Sequence, residues 1–468
     1  MVSKNFNNEL KKGSGGLWSA VFQGMAFVGP AATAASFFVV EAAVVGASVS
    51  LTYMIAIVGV AAAMYMNYRF SQRIAHAGGY YAYIEAGIGK RTSLFGAWLY
   101  FFNLLGAVSG FVMLFFAGIL WPLIPYLSAN PYGWMPLILI PFTLMFVFLY
   151  KGIKPSLYYT MIGSIIEVGF LIIMSLIIIL KVGNNNTLLP FTTSGHTFSE
   201  IGLATVFAIL GYVGLGSMIT ISEEIRNPKV NIPRALFITI VIAFVVYALS
   251  SYALVVGWGI SKIGSFATTS NPGFIVVEKY LGLGGYLIFI IITLNSFLSE
   301  SIAQGNAFTR LGYAMARDRK LFPFSWSETH NKYGSPTKII MFELPLSLII
   351  AYIAGILWGP FMAATILTTV NGVSLYIVHI ISNISLPIWG KMKLKSKFTD
   401  LLLMIFIPLI ATIVYAFAIY GTFIPFPAYP LNSADYIIIA VILAGIMISF
   451  IFRKHQSNLT DFSLSEEK

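Results

Sequence analysis

The 468 residues contain no cysteine, which excludes disulfides, thiol nucleophiles and thiolate metal sites. Charge is scarce as well: 10% of the residues are Asp, Glu, Lys or Arg, against 58% hydrophobic ones. The five histidines, His76, His196, His330, His379 and His455, are scattered without metal-binding spacing. No GxxxxGK[ST] phosphate loop, paired acid/base motif or repeated selectivity-filter element occurs. These absences argue against a metalloenzyme, a nucleotide-driven pump and a channel, and no enzyme activity, cofactor or metal is expected. A nutrient sensor is less favoured because no appended signalling domain is visible.

What the chain has is apolar length. A mean hydropathy of +0.85 is too high for a water-soluble globule, and runs of about 20 apolar residues, enough to cross a bilayer, recur almost throughout. Twelve spans are expected, near 17–38, 44–68, 94–122, 135–150, 156–180, 200–222, 235–258, 284–309, 338–357, 360–388, 400–422 and 435–452. The polar stretch MVSKNFNNELKKGSGG precedes the first span and lacks the short apolar core of a signal sequence, so span 1 is expected to be retained. The net charge of +11 would suggest nucleic acid in a soluble protein. Here it reads as topology, since 25 of the 28 Lys and Arg fall on one side of the twelve spans and only Lys181, Lys262 and Lys279 on the other. A multi-pass cell-membrane protein follows, with a cytoplasmic N-terminal tail at 1–16, a cytoplasmic C-terminal tail at 453–468, and no nucleic-acid partner. The run from Lys391 to Lys397 marks the same face and is placed to touch anionic lipid.

Two spans are poor helices. Span 1 carries Gly29 and Pro30 at mid-membrane, where proline removes a backbone donor and clashes with the preceding turn. Span 6 carries Gly211, Gly214 and Gly216 at the same relative depth. Small residues also serve close helix packing, but two interrupted spans five apart point to an inverted-repeat transporter whose site lies at the breaks. Spans 1–5 (17–181) form repeat one, spans 6–10 (200–388) repeat two, and 400–452 holds spans 11 and 12. Beyond such a break the half-helix N-terminus offers amide donors to a carboxylate, while unwound carbonyls suit an ammonium group. The stretches most exposed are Val28, Gly29, Pro30, Ala31, Ala32 and Thr33, and Gly211 to Ser217, including Tyr212 and Gly214. Neither holds a charged side chain, which favours substrates with neutral side chains.

Three ordered stretches carry a family resemblance. GYVGLGSMITISEEIRNPKVNIPRAL, HAGGYYAYIEAGIG with FGAW, and GNAFTRLGYAMARDRKLFP together resemble the amino acid/polyamine/organocation permeases over most of the chain. Leu215 replaces the usual aromatic of the first stretch, and Arg319 and Lys320 replace the common glycine of the third. The resemblance implies an all-α polytopic membrane protein of the LeuT-type fold, with a five-plus-five inverted repeat, two further helices, discontinuous helices 1 and 6, and transport of amino acids or related amines. It implies that the backbone of Gly29 to Thr33 faces the substrate carboxylate and that of Phe207 to Gly211 its ammonium. Phe207 and Tyr212 are candidate gates, with Leu210 at the family's main gate position; either aromatic is equally readable as core packing.

Ionisable residues inside the spans complete the set. Glu167, in SIIEVGF of span 5, is a functional candidate because an intramembrane carboxylate is costly. It resembles in location a lysine that fills a would-be sodium site in several relatives, and it is suited to carry a proton or to bind a cation. Glu300 lies in NSFLSESIAQGN of span 8, where Ser299 resembles the hydroxyl that lines the sodium site of sodium-coupled relatives. Both glutamates are also readable as protonated groups that only bond a neighbouring helix. Glu223 and Glu224 end span 6, where Arg226, Arg234, Arg69 or Arg73 are possible partners in an inner gate. The leading expectation is a proton-coupled symporter importing neutral or a broad range of amino acids; exchange and sodium coupling are the alternatives.

Overall fold

The computed structural model describes residues 9–269, 271–394 and 397–451. The expected C-terminal tail, the first eight residues and Lys395 lie outside them. The described residues are helical, joined by turns and short loops, with no strand and one isolated bridge between Gly15 and Ile225. The longer α-helices are α1 (Leu17–Val28), α2 (Pro30–Val45), α3 (Val49–Ser71), α4 (Tyr80–Gly87), α5 (Lys90–Gly106), α6 (Leu139–Tyr150), α7 (Ile153–Val182), α8 (Phe198–Leu210), α9 (Pro228–Trp258), α10 (Pro272–Arg317), α11 (Thr337–Trp358), α12 (Pro360–Met392), α13 (Phe398–Phe423) and α14 (Ser433–Ile451).

Nine stretches among the described residues are long and apolar enough to cross a membrane. One of them, Leu17–Ser71, contains the first two expected spans, and the shorter apolar helices Met135–Tyr150 and Phe198–Leu210 fall where spans 4 and 6 were expected. The chain is therefore a multi-pass, all-helical membrane protein.

Apolar sequence alone does not order such helices; side-chain packing and buried polar contacts do. Both broken spans pack against several neighbours. α1 packs against α7, α9 and α10, while α2 packs against α8 and α10. α5 runs on through a π-helical stretch, Ala107–Leu114, that packs against α10, α11 and α12. Such a widened turn perturbs the regular hydrogen-bond ladder and recurs at functional sites; here it brings Phe111 to the central cavity.

Candidate functional site

Span 1 breaks at Gly29. Its φ of 57° and ψ of 66° are left-handed, and its N–H closes α1 on the Met25 carbonyl. Glycine is required twice over, since a Cβ here would also come within 2.6 Å of Glu300 Oε2. Pro30 then occupies the first turn of α2, where a missing N–H costs nothing and the fixed φ favours helix. The proline that looked like a mid-helix fault is a helix start.

Span 6 breaks by a different route. α8 starts on a capping box in which Thr197 Oγ1 accepts from Glu200 N–H and Glu200 Oε2 accepts from Thr197 N–H. It ends at Leu210, Gly211 to Gly216 form successive turns, and a 3-10 segment runs from Ser217 to Glu224. Gly214 has φ 99°, and any Cβ there would collide with the Phe27 ring of α1. Tyr247 Oη donates to the Gly211 carbonyl at 2.8 Å, so one freed acceptor is held by α9.

Between the breaks lies a cavity of about 30 Å3, lined by Phe27, Val28, Thr33, Phe37, Phe111, Leu210, Val213, Glu300, Gln304, Thr368 and Asn371. Val28, Thr33 and Leu210 of the expected set line it. Phe207 and Tyr212, the two gate candidates, do not: Tyr212 is buried in an aromatic cluster with Tyr53 and Tyr247, and the rings at the cavity are Phe27, Phe37 and Phe111. Gly214 and Tyr212 instead border a smaller cavity on the other side of the break, beside Tyr80, Tyr376, His379 and Tyr415.

The amides at the start of α2 are already engaged. Glu167 Oε1 accepts from Ala31 N–H at 2.6 Å, and Ser296 Oγ accepts from Ala32 N–H at 3.2 Å. Ser296 in turn donates to Glu167 Oε1 at 2.5 Å, and Thr33 N–H returns to the Gly29 carbonyl. A carboxylate belongs at a helix N-terminus for reasons of dipole and unpaired donors; in this structure α7 supplies it. Glu300 lies on the other flank of Gly29, fully buried, with Oε1 accepting from Gln304 Nε2 at 2.7 Å.

The hydroxyl in contact with Glu167 is that of Ser296; Ser299 was expected as a hydroxyl of a cation site. Ser299 is one turn further along α10 and lies over Gly163 of α7, at 2.6 Å from where a Cβ would be. Periodicity alone does not separate two serines three residues apart, since both lie on the same helix face.

Below the break, Glu223 and Glu224 find partners on α10. The Arg317 guanidinium grips both oxygens of Glu223 at 2.8 and 2.9 Å, and Ala77 N–H adds a third bond at 2.8 Å. Arg310 Nε donates to Glu224 Oε2 at 2.9 Å, with both side chains fully buried. Asp318 accepts from Tyr81 Oη at 2.6 Å and contacts His76 and Arg317. Burial pushes Glu223 up, but Arg317, His76 and the Ala77 amide hold it below the ordinary carboxylate value. The same balance holds Asp318 well below its ordinary value despite burial, through His76, Arg317 and Tyr81. Glu224 goes the other way, raised by burial against the pull of Arg310.

The expected partners lie elsewhere. Arg226 is exposed and borders Gly13 and Gly16, while its backbone N–H donates to the Gly15 carbonyl. Arg69 pairs with Asp400 at 2.9 Å. Sequence reasoning missed Ser296, Arg310 and Arg317 as contacts because they depend on how α10 crosses spans 1, 5 and 6. It also passed over two buried carboxyls with a legible signal, an isolated glutamate in an apolar run: Glu41 in VVEAA, beside Tyr53, and Glu343 in MFELP, against Gly312 of α10.

Comparison with known proteins agrees with this architecture. The amino acid permease family matches residues 20–461. An uncharacterized protein of Methanocaldococcus jannaschii is 28% identical over 327 residues, 68% of this chain and 71% of that one. The aspartate-proton symporter of Bacillus subtilis is 30% identical over 209 residues, 42% of this chain and 37% of the symporter. The serine/threonine exchanger SteT of the same organism is 26% identical over 301 residues, 60% of this chain and 63% of the exchanger. The matches thus span less than two thirds of either Bacillus protein. Among solved structures, a Na+-coupled sialic acid symporter in a substrate-bound, outward-open state shares the fold, with a TM-score of 0.53 at 15% identity over 88% of this chain and 90% of the symporter.

Proposed function

Because the chain belongs to the amino acid permease family, we propose that it is a secondary transporter that imports amino acids by proton-coupled symport. Twelve spans in a five-plus-five repeat, with both termini cytoplasmic, alternate access about the breaks in spans 1 and 6. Amino acid and proton are its partners, with membrane lipid around it.

The observation that carries the reading is Glu167 at the start of α2, 2.6 Å from Ala31 N. The amides that suit a substrate carboxylate are the ones Glu167 occupies. Ionised, Glu167 supplies the negative charge that this helix terminus stabilises. Protonated, it gives up that charge, and a substrate carboxylate takes its place at the terminus. Loss of the proton on the cytoplasmic side reverses the exchange and expels the substrate. One proton then accompanies each carboxylate inward, which is symport by competition for a single helix terminus.

Purified protein in liposomes is expected to accumulate labelled amino acid, tested with lysine, serine and leucine, when the outside is made acidic, and to stop when a protonophore is added. Glu167→Gln is expected to abolish gradient-driven accumulation while leaving exchange of internal for external amino acid, because the amide oxygen still accepts from Ala31 N–H but the group does not titrate. Unchanged pH dependence in that variant removes Glu167 from coupling. The second reading, exchange, is favoured by the similarity to a serine/threonine exchanger; it requires uptake that ignores the proton gradient and depends on internal amino acid.

A further inference from the structure

Among the described residues, Glu300 is the one ionisable side chain lining the central cavity; the other lining residues are aromatic, aliphatic or neutral polar. It is 2% exposed, and while Oε1 is held by Gln304, Oε2 has no hydrogen-bond partner among the described residues. Gln304 Oε1, in the same wall, is likewise unpartnered. Two residues of the wall therefore each carry a buried acceptor oxygen without a partner, and among the described residues no lysine, arginine or histidine lines the cavity to answer them.

A buried carboxylate without a counter-charge is strongly disfavoured. Such a group is neutralised by a proton when the site is empty, and a cation brought into the site is the alternative partner. We propose that the amino acids transported at this site bear a cationic side chain and that Glu300 selects them; the inference rests on the transport reading above.

The alternatives fare worse on the same geometry. An acidic side chain would set a second negative charge against Glu300. An aliphatic one would cover Oε2 and Gln304 Oε1 without bonding either, at the cost of stranding two acceptors. A terminal ammonium or guanidinium donates to both. The Phe37 and Phe111 rings, stacked with centroids 5.6 Å apart in the same lining, add faces that attract a cation. The expectation of a neutral side chain drew on the two broken spans alone; span 8 brings the charge that they lack. The cavity of about 30 Å3 holds a water rather than an amino acid, so binding accompanies opening of the site, and transport is the appropriate readout.

The test is competition in the liposome assay. Unlabelled lysine or ornithine is expected to suppress uptake of labelled lysine at concentrations where leucine and glutamate do not. Glu300→Gln is expected to lower lysine uptake by about thirtyfold or more, since it removes one member of a buried charge pair, and to retain or raise uptake of labelled glutamine. Should that variant fail to insert, the competition profile of the unaltered protein decides alone. Transport of leucine or glutamate that lysine neither shares nor inhibits overturns this inference and leaves the transport reading intact. Lysine preference unchanged in Glu300→Gln overturns the role of Glu300. If no labelled amino acid of any class moves, the transport reading itself fails.

Discussion

At the scale of single residues, Gly29 is where backbone and chemistry constrain each other most. Its left-handed φ of 57° disfavours any side chain, and the space a methyl would fill is bounded by Glu300 Oε2 at 2.6 Å and Ser296 Oγ at 3.2 Å. Relief of the contact must move a bonded side chain, because Ser296 is tied to Glu167 and Ala32, and Glu300 is tied to Gln304 through Oε1. Gly29→Ala is therefore expected to lower the stability of the detergent-solubilised protein by about 1–3 kcal/mol and to reduce transport more than that loss explains, since it displaces both carboxyl-bearing helices from the break. Thermal melting beside liposome uptake separates the two effects; a variant with unaltered melting and uptake would show the break to be plastic. Gly29 was legible in the sequence because a glycine followed by proline inside an apolar run weakens the helix twice at one point, once through backbone freedom and once through a missing donor. Glu300 was legible as a buried carboxyl but not as a wall of the cavity, for its placement depends on how α10 lies against α2.

At the scale of elements, the exit of span 6 is clasped by α10 through two arginines on one helical face, about two turns apart, Arg310 on Glu224 and Arg317 on Glu223. The acidic pair was visible as a sequence signal, but its partners lie 86 and 94 residues away. Nearby arginines such as Arg226 were closer in sequence and wrong in space, because the 3-10 segment turns the two carboxylates toward α10. The same clasp sets a pH dependence. Glu223 and Asp318 are held below their ordinary values of 4.5 and 3.8. A group whose folded value is depressed contributes stability above its unfolded value and loses it as pH falls through the folded one. The melting temperature is thus expected to stay level, so far as Glu223 and Asp318 govern it, between about pH 7 and 5 and to fall below about pH 4. Asp318→Asn is expected to melt lower at pH 7 and to show a shallower acid decline. An acid decline identical in the variant would exclude Asp318 from the linkage.

At the scale of the whole molecule, the sequence was most informative where the membrane itself imposes the rule. Apolar length marked helices that the structure contains, and glycine and proline marked the two interruptions, because hydrocarbon tolerates irregular backbone only where protein or a cavity satisfies it. It was least informative about which polar side chains meet, since those contacts follow from helix crossing and not from span order. Orientation is a proposal that rests on the same kind of rule: from the 25-to-3 division of basic residues we propose that the α10–α11 connection, with Lys332, is cytoplasmic and that the loop after α7, with Asn184, is on the outer side. The chain's lack of cysteine makes this directly measurable, since any single introduced thiol is the sole target of a maleimide. Asn184 and Lys332 are both exposed and lie in connections between helices. In intact cells a membrane-impermeant maleimide is expected to label Asn184→Cys fully and Lys332→Cys only after permeabilisation. The reverse pattern would invert the molecule and turn the proposed direction of proton-driven uptake into efflux; equal labelling of both would place them on one face and break the count of spans between them.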